Sequence, residues 1–382
     1  MGSCMSNMTE LIPVVIVSMI LAVLSHGKSI YSHNLERYKQ KDALFYTIML
    51  IVMVVFVGLR TRYNDTSTYR YAYELLQPTQ SAADAVKGLS IGDNPGFVYL
   101  NALMKNSGVS TQSFLMIYSV ITNGIYLWFL RKYTNNIWQT IFLFIVFDTF
   151  TFTLAAIKQC VAVAFCLLGV DQALKKHYIR FVFWVLVATL FHPYSLMFLV
   201  VPFLTFRPWS ARTYFFIVAF GLVGILLEYL LGVLIDVTTM FGEGYDVEEF
   251  SGEGVNPFRL AVCAVPLLIS FVARYRIEKM DEKREREFFL FTNLSMLNAE
   301  IMFVALFGTA NYFARLANYF LIFQTLSIPW LFQFFDKRSR SLLICTAVVC
   351  YSLYFIYACG INQKFDLEFD SISLVEYLLS LF

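Results

Sequence analysis

The feature that most constrains this chain is a series of apolar runs, each long enough to cross a lipid bilayer. Hydrophobic residues make up 58% of the 382 positions, and only 15% are charged. A transmembrane helix needs about 20 apolar residues, with roughly 17 as the lower limit. This composition excludes an ordinary soluble domain and predicts an all-α, polytopic integral membrane protein with about ten full transmembrane helices. The expected spans are residues 9–25, 43–59, 112–130, 137–155, 157–174, 213–236, 257–273, 288–307, 316–335 and 341–358.

A further apolar stretch, residues 179–206, is interrupted at His192-Pro193. Proline lacks an amide hydrogen and disfavours helix in the residue before it, so we expect a break at this point. Each arm is about 13 residues, or roughly 20 Å long, which is shorter than a bilayer core of about 30 Å. The pattern predicts a re-entrant or short-helix hairpin whose tip, with His192, lies below the membrane surface.

The distribution of Lys and Arg sets the expected orientation, because these residues are enriched in cytoplasmic loops. All the basic segments face the cytoplasm only if the N-terminus is outside and residues 179–206 cross twice or re-enter. The long segment 60–111 and the acidic loop 237–256 then lie outside, and residues 1–382 form a single transmembrane domain. The net charge of +2 is scattered through short loops and does not indicate nucleic acid binding. The basic segments are 26–42, 131–136, 175–180, 207–212, 274–287 and 336–340.

The candidate site consists of polar and ionisable residues at the outer ends of the spans. Charge beside hydrocarbon is costly, so such residues are functional candidates. Several cations near one carboxylate and one imidazole indicate a site for an anionic, phosphorylated substrate. No second histidine stands at metal-ligand spacing, and we expect neither a metal nor a cofactor. The candidates are Arg60, Arg62, Asp65, Lys158, Gln159, His192 and Arg315.

Four of these residues also have structural interpretations. Asp65 could accept a proton from a sugar hydroxyl or simply pair with an arginine. Lys158 could snorkel to the interface or, at a helix N-terminus, hold an anion. His192 could act as a general base, bind phosphate when protonated, or be an ordinary hydrogen-bonded histidine. Arg315 could bind phosphate or be an interfacial arginine between tyrosines.

Four short motifs follow one another along the chain: Gly58-Leu59-Arg60 with Asn64-Asp65-Thr66 and Tyr69, Asn94-Pro95-Gly96-Phe97, Ala156-Ile157-Lys158-Gln159, and Phe191-His192-Pro193-Tyr194-Ser195. In this order they resemble the EpsG family of Wzy-like bacterial exopolysaccharide, O-antigen and capsule polymerases. Arg315 with Tyr319 is similar to a late element of the same family. Two positions depart from the family pattern, because Lys158 stands where arginine is usual and Asn94 where glutamate is usual. The first change replaces a forked contact with a point charge.

The resemblance implies a polymerase that joins undecaprenyl-diphosphate-linked oligosaccharide repeat units at the outer face of the bacterial plasma membrane. It also implies a flippase and a chain-length regulator as partners. From their shared outer location, we expect Asp65 or His192 to take the proton from the acceptor hydroxyl. Gln159 would orient a sugar or a phosphate. The residues expected to bind the diphosphates and stabilise the leaving group are Arg60, Arg62, Lys158 and Arg315.

Other functions remain open from the sequence. A single-sugar, polyprenyl-phosphate-dependent glycosyltransferase or an oligosaccharide ligase would use similar cations. A membrane acyltransferase could use His192 with an arginine. A lipid-linked sugar transporter fits less well, because the ionisable residues stand at the outer ends of spans rather than near the bilayer midplane.

Overall fold

The computed structural model describes residues 6–26, 43–79, 81–240, 254–279, 285–308, 310–361 and 366–369. Most of this length is helical, as expected where hydrocarbon forces the backbone to satisfy its own polar groups. Within these residues, five helices are long and apolar enough to cross a membrane. The count is six if the bent pair Ile137–Val146 with Thr149–Ala155 forms one span. The prediction of a helical, multi-pass membrane protein is therefore confirmed, whereas the count of ten spans and the outer N-terminus stay predictions. The helices long and apolar enough to cross a membrane are Asn7–Ser25, Thr111–Tyr133, Ile157–Leu174, Pro257–Ile277 and Lys337–Ile361.

The elements follow one another closely along the chain. The first half contains α1 (Ser6–His26), α2 (Ala43–Leu59), β1 (Arg60–Arg62), α3 (Thr66–Leu75), a short 3₁₀ helix (Asp84–Val86), α4 (Pro95–Asn106), α5 (Thr111–Tyr133), α6 (Ile137–Val146), α7 (Thr149–Ala155) and α8 (Ile157–Leu174). The second half contains α9 (Tyr178–Thr189), a 3₁₀ helix (Pro193–Leu204), α10 (Ala211–Ile225), α11 (Leu227–Met240), α12 (Pro257–Cys263), α13 (Val265–Ile277), α14 (Glu285–Val304), α15 (Ala310–Leu331), α16 (Lys337–Ile356) and β2 (Glu368–Phe369).

Helix α8 lies in the middle of the protein and packs against α5, α7, α9 and the 3₁₀ helix. Most of its side chains are buried, which is typical of a helix that is apolar on every side. Its buried Asp171 accepts hydrogen bonds from Tyr133 Oη at 2.8 Å and from Lys175 Nζ at 2.6 Å. Lys132 also forms an ion pair with this carboxylate. The ends of α5 and α8 are therefore joined by a charged cluster.

Helices α14 and α15 form a closely packed antiparallel pair with polar side chains between them. Ser295 and Ser327 share a hydrogen bond of 2.8 Å between their hydroxyls. The Asn298 amide donates to the Ala317 carbonyl at 2.6 Å, and Gln324 donates to Asn298 Oδ1 at 2.6 Å. Hydrogen bonds between polar side chains hold helices together in a membrane. The polar residues that form them make the sequences of these two helices less uniformly apolar.

Several elements differ in detail from the expected ones. The helix predicted at 316–335 begins already at Ala310, so Arg315 lies inside it rather than before it. The span expected at 213–236 is two helices that meet at Leu226. Two helical segments of 12 residues each meet at His192, where the sequence predicted a break. Most of the acidic loop expected at 237–256 lies outside the described residues, which resume at 254.

A small two-stranded sheet is the β structure that the described part of the chain contains. Strands β1 and β2 pair antiparallel, with Arg60 opposite Phe369 and Arg62 opposite Glu368. Next to the sheet, the Leu367 amide donates to Asn7 Oδ1 at 2.6 Å. A segment near the C-terminus is therefore held against both α1 and the strand that follows α2.

Candidate active site

Arg60 is buried, with 1% of its surface exposed. Its Nε donates to Thr66 Oγ1 at 3.0 Å, and its Nη1 donates to the Val57 carbonyl at 2.5 Å. Thr66 in turn donates to the Leu154 carbonyl at 2.8 Å. Burial lowers the pKa of the Arg60 guanidinium to about 9, which still leaves it charged at neutral pH. In this structure Arg60 joins the end of α2, the start of α3 and α7.

Arg62 lies two residues further along β1 and is exposed. Its Nη1 forms an ion pair with Glu368 Oε1 at 2.9 Å. An exposed ion pair of this kind contributes about 0–1 kcal/mol, so its main effect is to align β1 with β2. The structure therefore joins Arg62 to the C-terminal strand.

Asp65 stands at the start of α3, half-buried, and faces Arg315 from a distant part of the chain. The Asp65 Oδ2 and Arg315 Nη2 atoms are 4.0 Å apart, with 36% and 52% of the two side chains exposed. One turn later, the phenol of Tyr69 is hydrogen-bonded by the backbone of Lys158. Burial raises the pKa of this phenol, and the nearby Asp65 charge raises it further. The phenol of Tyr69 therefore stays neutral beside Asp65 and Arg315.

Lys158 and Gln159 occupy the first turn of α8, as the sequence predicted. Lys158 is half-buried, and its Nζ lies 5.7 Å from the centre of the Phe97 ring, within cation–π range. Its position adds the positive end of the helix dipole to the ammonium charge. Gln159 is buried, and its Nε2 donates to the backbone carbonyl of Arg315 at 2.7 Å. The glutamine thus holds the helix that carries Arg315.

His192 lies at the hairpin break, between α9 and the 3₁₀ helix. Its Nδ1 is 2.7 Å from the hydroxyl oxygen of Tyr319, one turn beyond Arg315 on α15. Both Lys158 and Arg315 interact electrostatically with the ring. The tip of the hairpin therefore lies in the same region as Lys158 and Arg315.

The Asn94-Pro95-Gly96-Phe97 motif packs directly on this hairpin. The Gly96 amide donates to the Leu190 carbonyl at 2.8 Å. A Cβ atom on Gly96 would lie 2.8 Å from Leu190 Cβ, which explains why the position needs glycine. Asn94 adopts a left-handed conformation with φ of 58°, and its amide donates to the Gly92 carbonyl at 2.9 Å. The motif thus brings the Phe97 ring to Lys158.

Four segments that are far apart in sequence therefore meet at one place. Asp65, Lys158, His192 and Arg315 come together, with the tyrosines at 69 and 319 between them. Gln159 contacts the cluster through the backbone carbonyl of Arg315. Arg60 is buried and bonds to the end of α2, whereas Arg62 pairs with Glu368 in β2. Within the described residues, no group of three or more His, Cys, Asp or Glu side chains could hold a metal.

Sequence reasoning did not assign roles to the aromatic residues of the site. Tyr69, Phe97 and Tyr319 each lie in a motif that was already noted, and that proximity was the available signal. Arg259 was not singled out at all, although it stands in the first turn of α12 and its Nη2 donates to Asn318 Oδ1 at 3.1 Å. A basic residue just after a segment that was expected to lie outside, against the expected charge bias, was the signal for it.

A comparison with protein-family models matches residues 43–375 to the EpsG family. This range includes every segment that forms the cluster. The chain belongs to the EpsG family. As an EpsG-family protein it is a membrane protein of polysaccharide biosynthesis, and the resemblance seen in its motifs is confirmed. No curated protein and no solved structure matches it.

Proposed function

We propose that this EpsG-family protein polymerises polyprenyl-diphosphate-linked oligosaccharide repeat units into a surface polysaccharide. The observation that carries the proposal is the meeting of two cations, a carboxylate and an imidazole from four separate segments. In the reaction, the acceptor hydroxyl oxygen bonds to the anomeric carbon of the donor sugar. The bond from that carbon to the lipid diphosphate breaks, and the diphosphate leaves with the electron pair. Such a step needs fixed positive charge at the leaving group and a base at the acceptor.

Lys158 and Arg315 fit the leaving-group role. Both side chains are partly accessible, and both act on the same histidine, so their charges overlap in one region. The N-terminus of α8 adds backbone dipoles of the same sign. Negative charge builds on the diphosphate as the glycosidic bond lengthens, and preorganised cations stabilise that charge more than they stabilise the ground state.

His192 fits the role of general base better than Asp65 does. Burial disfavours a charged ring, and the positive charges of Lys158 and Arg315 act on it in the same direction, so we infer a neutral imidazole. If its Nδ1–H donates to the Tyr319 oxygen, Nε2 keeps its lone pair and can accept the proton. Asp65 instead faces the Arg315 guanidinium, which makes it an orienting partner of that cation.

For Arg60, Arg62 and Gln159 we propose roles other than those expected from the sequence. We assign Arg60 a positioning role, because its hydrogen bonds go to Val57 and Thr66 inside the protein. Arg62 is assigned to the pairing of β1 with β2. Gln159 acts on Arg315 through its backbone rather than on a sugar.

We place this site on the outer face of the bacterial plasma membrane. The charge bias of the basic segments supports this orientation. In addition, α8 carries Lys158 near one end and the Asp171 cluster near the other, about 13 residues or roughly 20 Å apart. The Asp171 cluster is flanked by Lys132 and Lys175, which suits a cytoplasmic boundary. The lipid carrier would reach the site from the surrounding bilayer.

The test is the glycan profile of the source cells after deletion of this gene. We expect lipid carrier capped by one complete repeat unit, with no longer ladder, and recovery of the ladder with the wild-type gene. Lys158→Gln and Arg315→Gln should fail to restore it, although both variants reach the membrane in normal amount. Each variant removes one fixed cation and should lower the elongation rate by about 10²–10³-fold.

The matched control is Arg180→Gln, an exposed cation beside the opposite end of α8, which should restore a normal ladder. A truncated repeat unit in the deletion strain would show a single-sugar transferase instead. Normal chains left on the lipid would show a ligase. An unchanged ladder on the cell surface would contradict the proposal and leave acyl transfer or transport.

A further inference from the structure

Arg259 is a cation that the site described above does not use. It lies in the first turn of α12, half-buried, next to the outer loop that precedes this helix. Its Nη2 donates to the neutral amide oxygen of Asn318 at 3.1 Å. Across the described ranges, the ion pairs within 4.0 Å involve other residues. A guanidinium has five N–H donors, so a single amide leaves most of its hydrogen-bonding capacity for another group.

Asn318 connects Arg259 to the candidate active site. It follows Arg315 by three residues on α15, which places it about 4.5 Å further along the axis and about 60° around it. Arg315 extends from this turn toward Asp65, whereas Arg259 reaches the same turn from α12. Two guanidinium groups from different helices therefore approach one helical turn from different sides.

A carboxylate also lies in this neighbourhood. Asp148, at the bend between α6 and α7, interacts electrostatically with Arg259. Its Oδ1 already accepts a hydrogen bond from the Thr151 hydroxyl. In the alternative role, Arg259 is a distant counter-charge to Asp148 and binds no ligand. The experiment below separates the two roles.

We propose that Arg259 and Asn318 form a second anion subsite, which takes the diphosphate of the acceptor substrate. This inference rests on the proposed function, in which two lipid diphosphates meet and only one of them leaves. Lys158 and Arg315 hold the leaving diphosphate. The acceptor keeps its own diphosphate throughout the reaction, and Arg259 binds it by forked hydrogen bonds. The Asn318 Nδ2 amide, whose oxygen is held by Arg259, supplies a further donor.

The test measures how many molecules of farnesyl diphosphate the purified, detergent-solubilised protein binds, with farnesol as the probe that lacks phosphate. We expect two equivalents for the wild type and none for farnesol at the same concentration. Arg259→Gln should bind one equivalent, and Arg315→Gln should also bind one. Arg274→Gln, the same change at the opposite end of the same span, should keep two.

Asn318→Asp provides a second variant that does not remove the arginine. Its carboxylate would pair with Arg259 and occupy the subsite from within. The farnesyl diphosphate molecule that binds at this subsite should therefore lose at least tenfold in affinity. This variant decides the matter if Arg259→Gln fails to fold. Two equivalents in either folded variant would overturn the proposal, as would fewer than two in the wild type. If Arg259 serves Asp148 alone, Arg259→Gln lowers thermal stability but leaves the number of equivalents unchanged, which also overturns it.

The binding result and the glycan result fail independently. One equivalent with a missing ladder in the deletion strain would reject the second subsite and leave the polymerase intact. Two equivalents with an unchanged ladder would reject the polymerase and assign the two anion sites to another reaction of lipid diphosphates.

Discussion

At the scale of single residues, the contact between His192 and Tyr319 carries the most chemical information. A neutral imidazole has one donor nitrogen and one acceptor nitrogen, and the hydrogen bond at Nδ1 decides which is which. Tyr319 lies one turn beyond Arg315, so the same helix places a cation and orients the imidazole. The tyrosine is in this sense a positioning residue for the proposed base.

We predict that Tyr319→Phe lowers the elongation rate about tenfold or more, because the imidazole loses the partner that orients it. This is a fraction of the roughly 10²–10⁴-fold that a positioned base contributes. The measurement is the pH profile of elongation with a lipid-linked repeat unit. A change in kcat and in the acid limb, with KM for the substrate unchanged, is expected.

The control for this prediction is Tyr229→Phe, the same change at a tyrosine that is 84% exposed on α11. It should leave both the rate and the pH profile as in the wild type. A Tyr319→Phe protein with an unaltered pH profile and only lower stability would show that the hydroxyl is purely structural.

At the scale of elements, the site depends on close contact between α4 and the hairpin. Helix α4 begins with Pro95 at a position that needs no amide hydrogen, and it is preceded by Asn94 in a left-handed conformation. The next residue, Gly96, has no side chain and lets the two backbones approach within hydrogen-bonding distance. Phe97 then packs against Tyr69 and Tyr118 and faces Lys158.

We predict that Gly96→Ala destabilises the protein by about 1–3 kcal/mol, because its Cβ would press on Leu190. Elongation should fall as well, since the shift moves both the Phe97 ring and the tip that carries His192. Thermal unfolding in detergent and the elongation rate are the two measurements.

Gly221→Ala is the matched control, because a Cβ at this helical position meets nothing within 4 Å. It should leave activity unchanged and stability equal or higher, since alanine is the better helix former. Equal unfolding temperatures for Gly96→Ala and the wild type would show that the hairpin tolerates the displacement.

At the scale of the whole molecule, the protein has a charged cluster near each end of α8. The cluster at Asp171 is structural: one carboxylate, 3% exposed, accepts from Tyr133 and Lys175 and pairs with Lys132. The cluster at Lys158 is roughly 20 Å away, and its two cations, Lys158 and Arg315, are partly accessible. Stability and substrate binding are thus assigned to opposite ends of one buried helix.

We predict that Asp171→Asn lowers stability by about 1–3 kcal/mol, because Tyr133 and two partly exposed lysines lose their charged acceptor. Farnesyl diphosphate binding at the other end should be unchanged at a temperature where the variant is folded. Asp236→Asn, at an exposed position on α11, should alter neither property. A loss of binding in folded Asp171→Asn would show that the two ends are coupled.

The amino-acid sequence by itself determined the class of protein. Span length, charge bias and proline position are local properties, so the helices, the break at His192 and the position of Lys158 in the first turn of a helix could be predicted without a structure. The resemblance of short motifs was also sufficient to identify the family, because those motifs keep their order along the chain.

Only the tertiary structure decided which of the predicted residues face a common space. Arg60 and Arg62 are two positions apart, yet one is buried under α3 and α7 and the other pairs with Glu368 in the C-terminal strand. Gln159 holds the Arg315 backbone, and Arg259 meets Asn318. These partners are set by how distant helices pack, and one sequence carries no local signal for such pairings because they depend on three-dimensional distance rather than on neighbours in the chain.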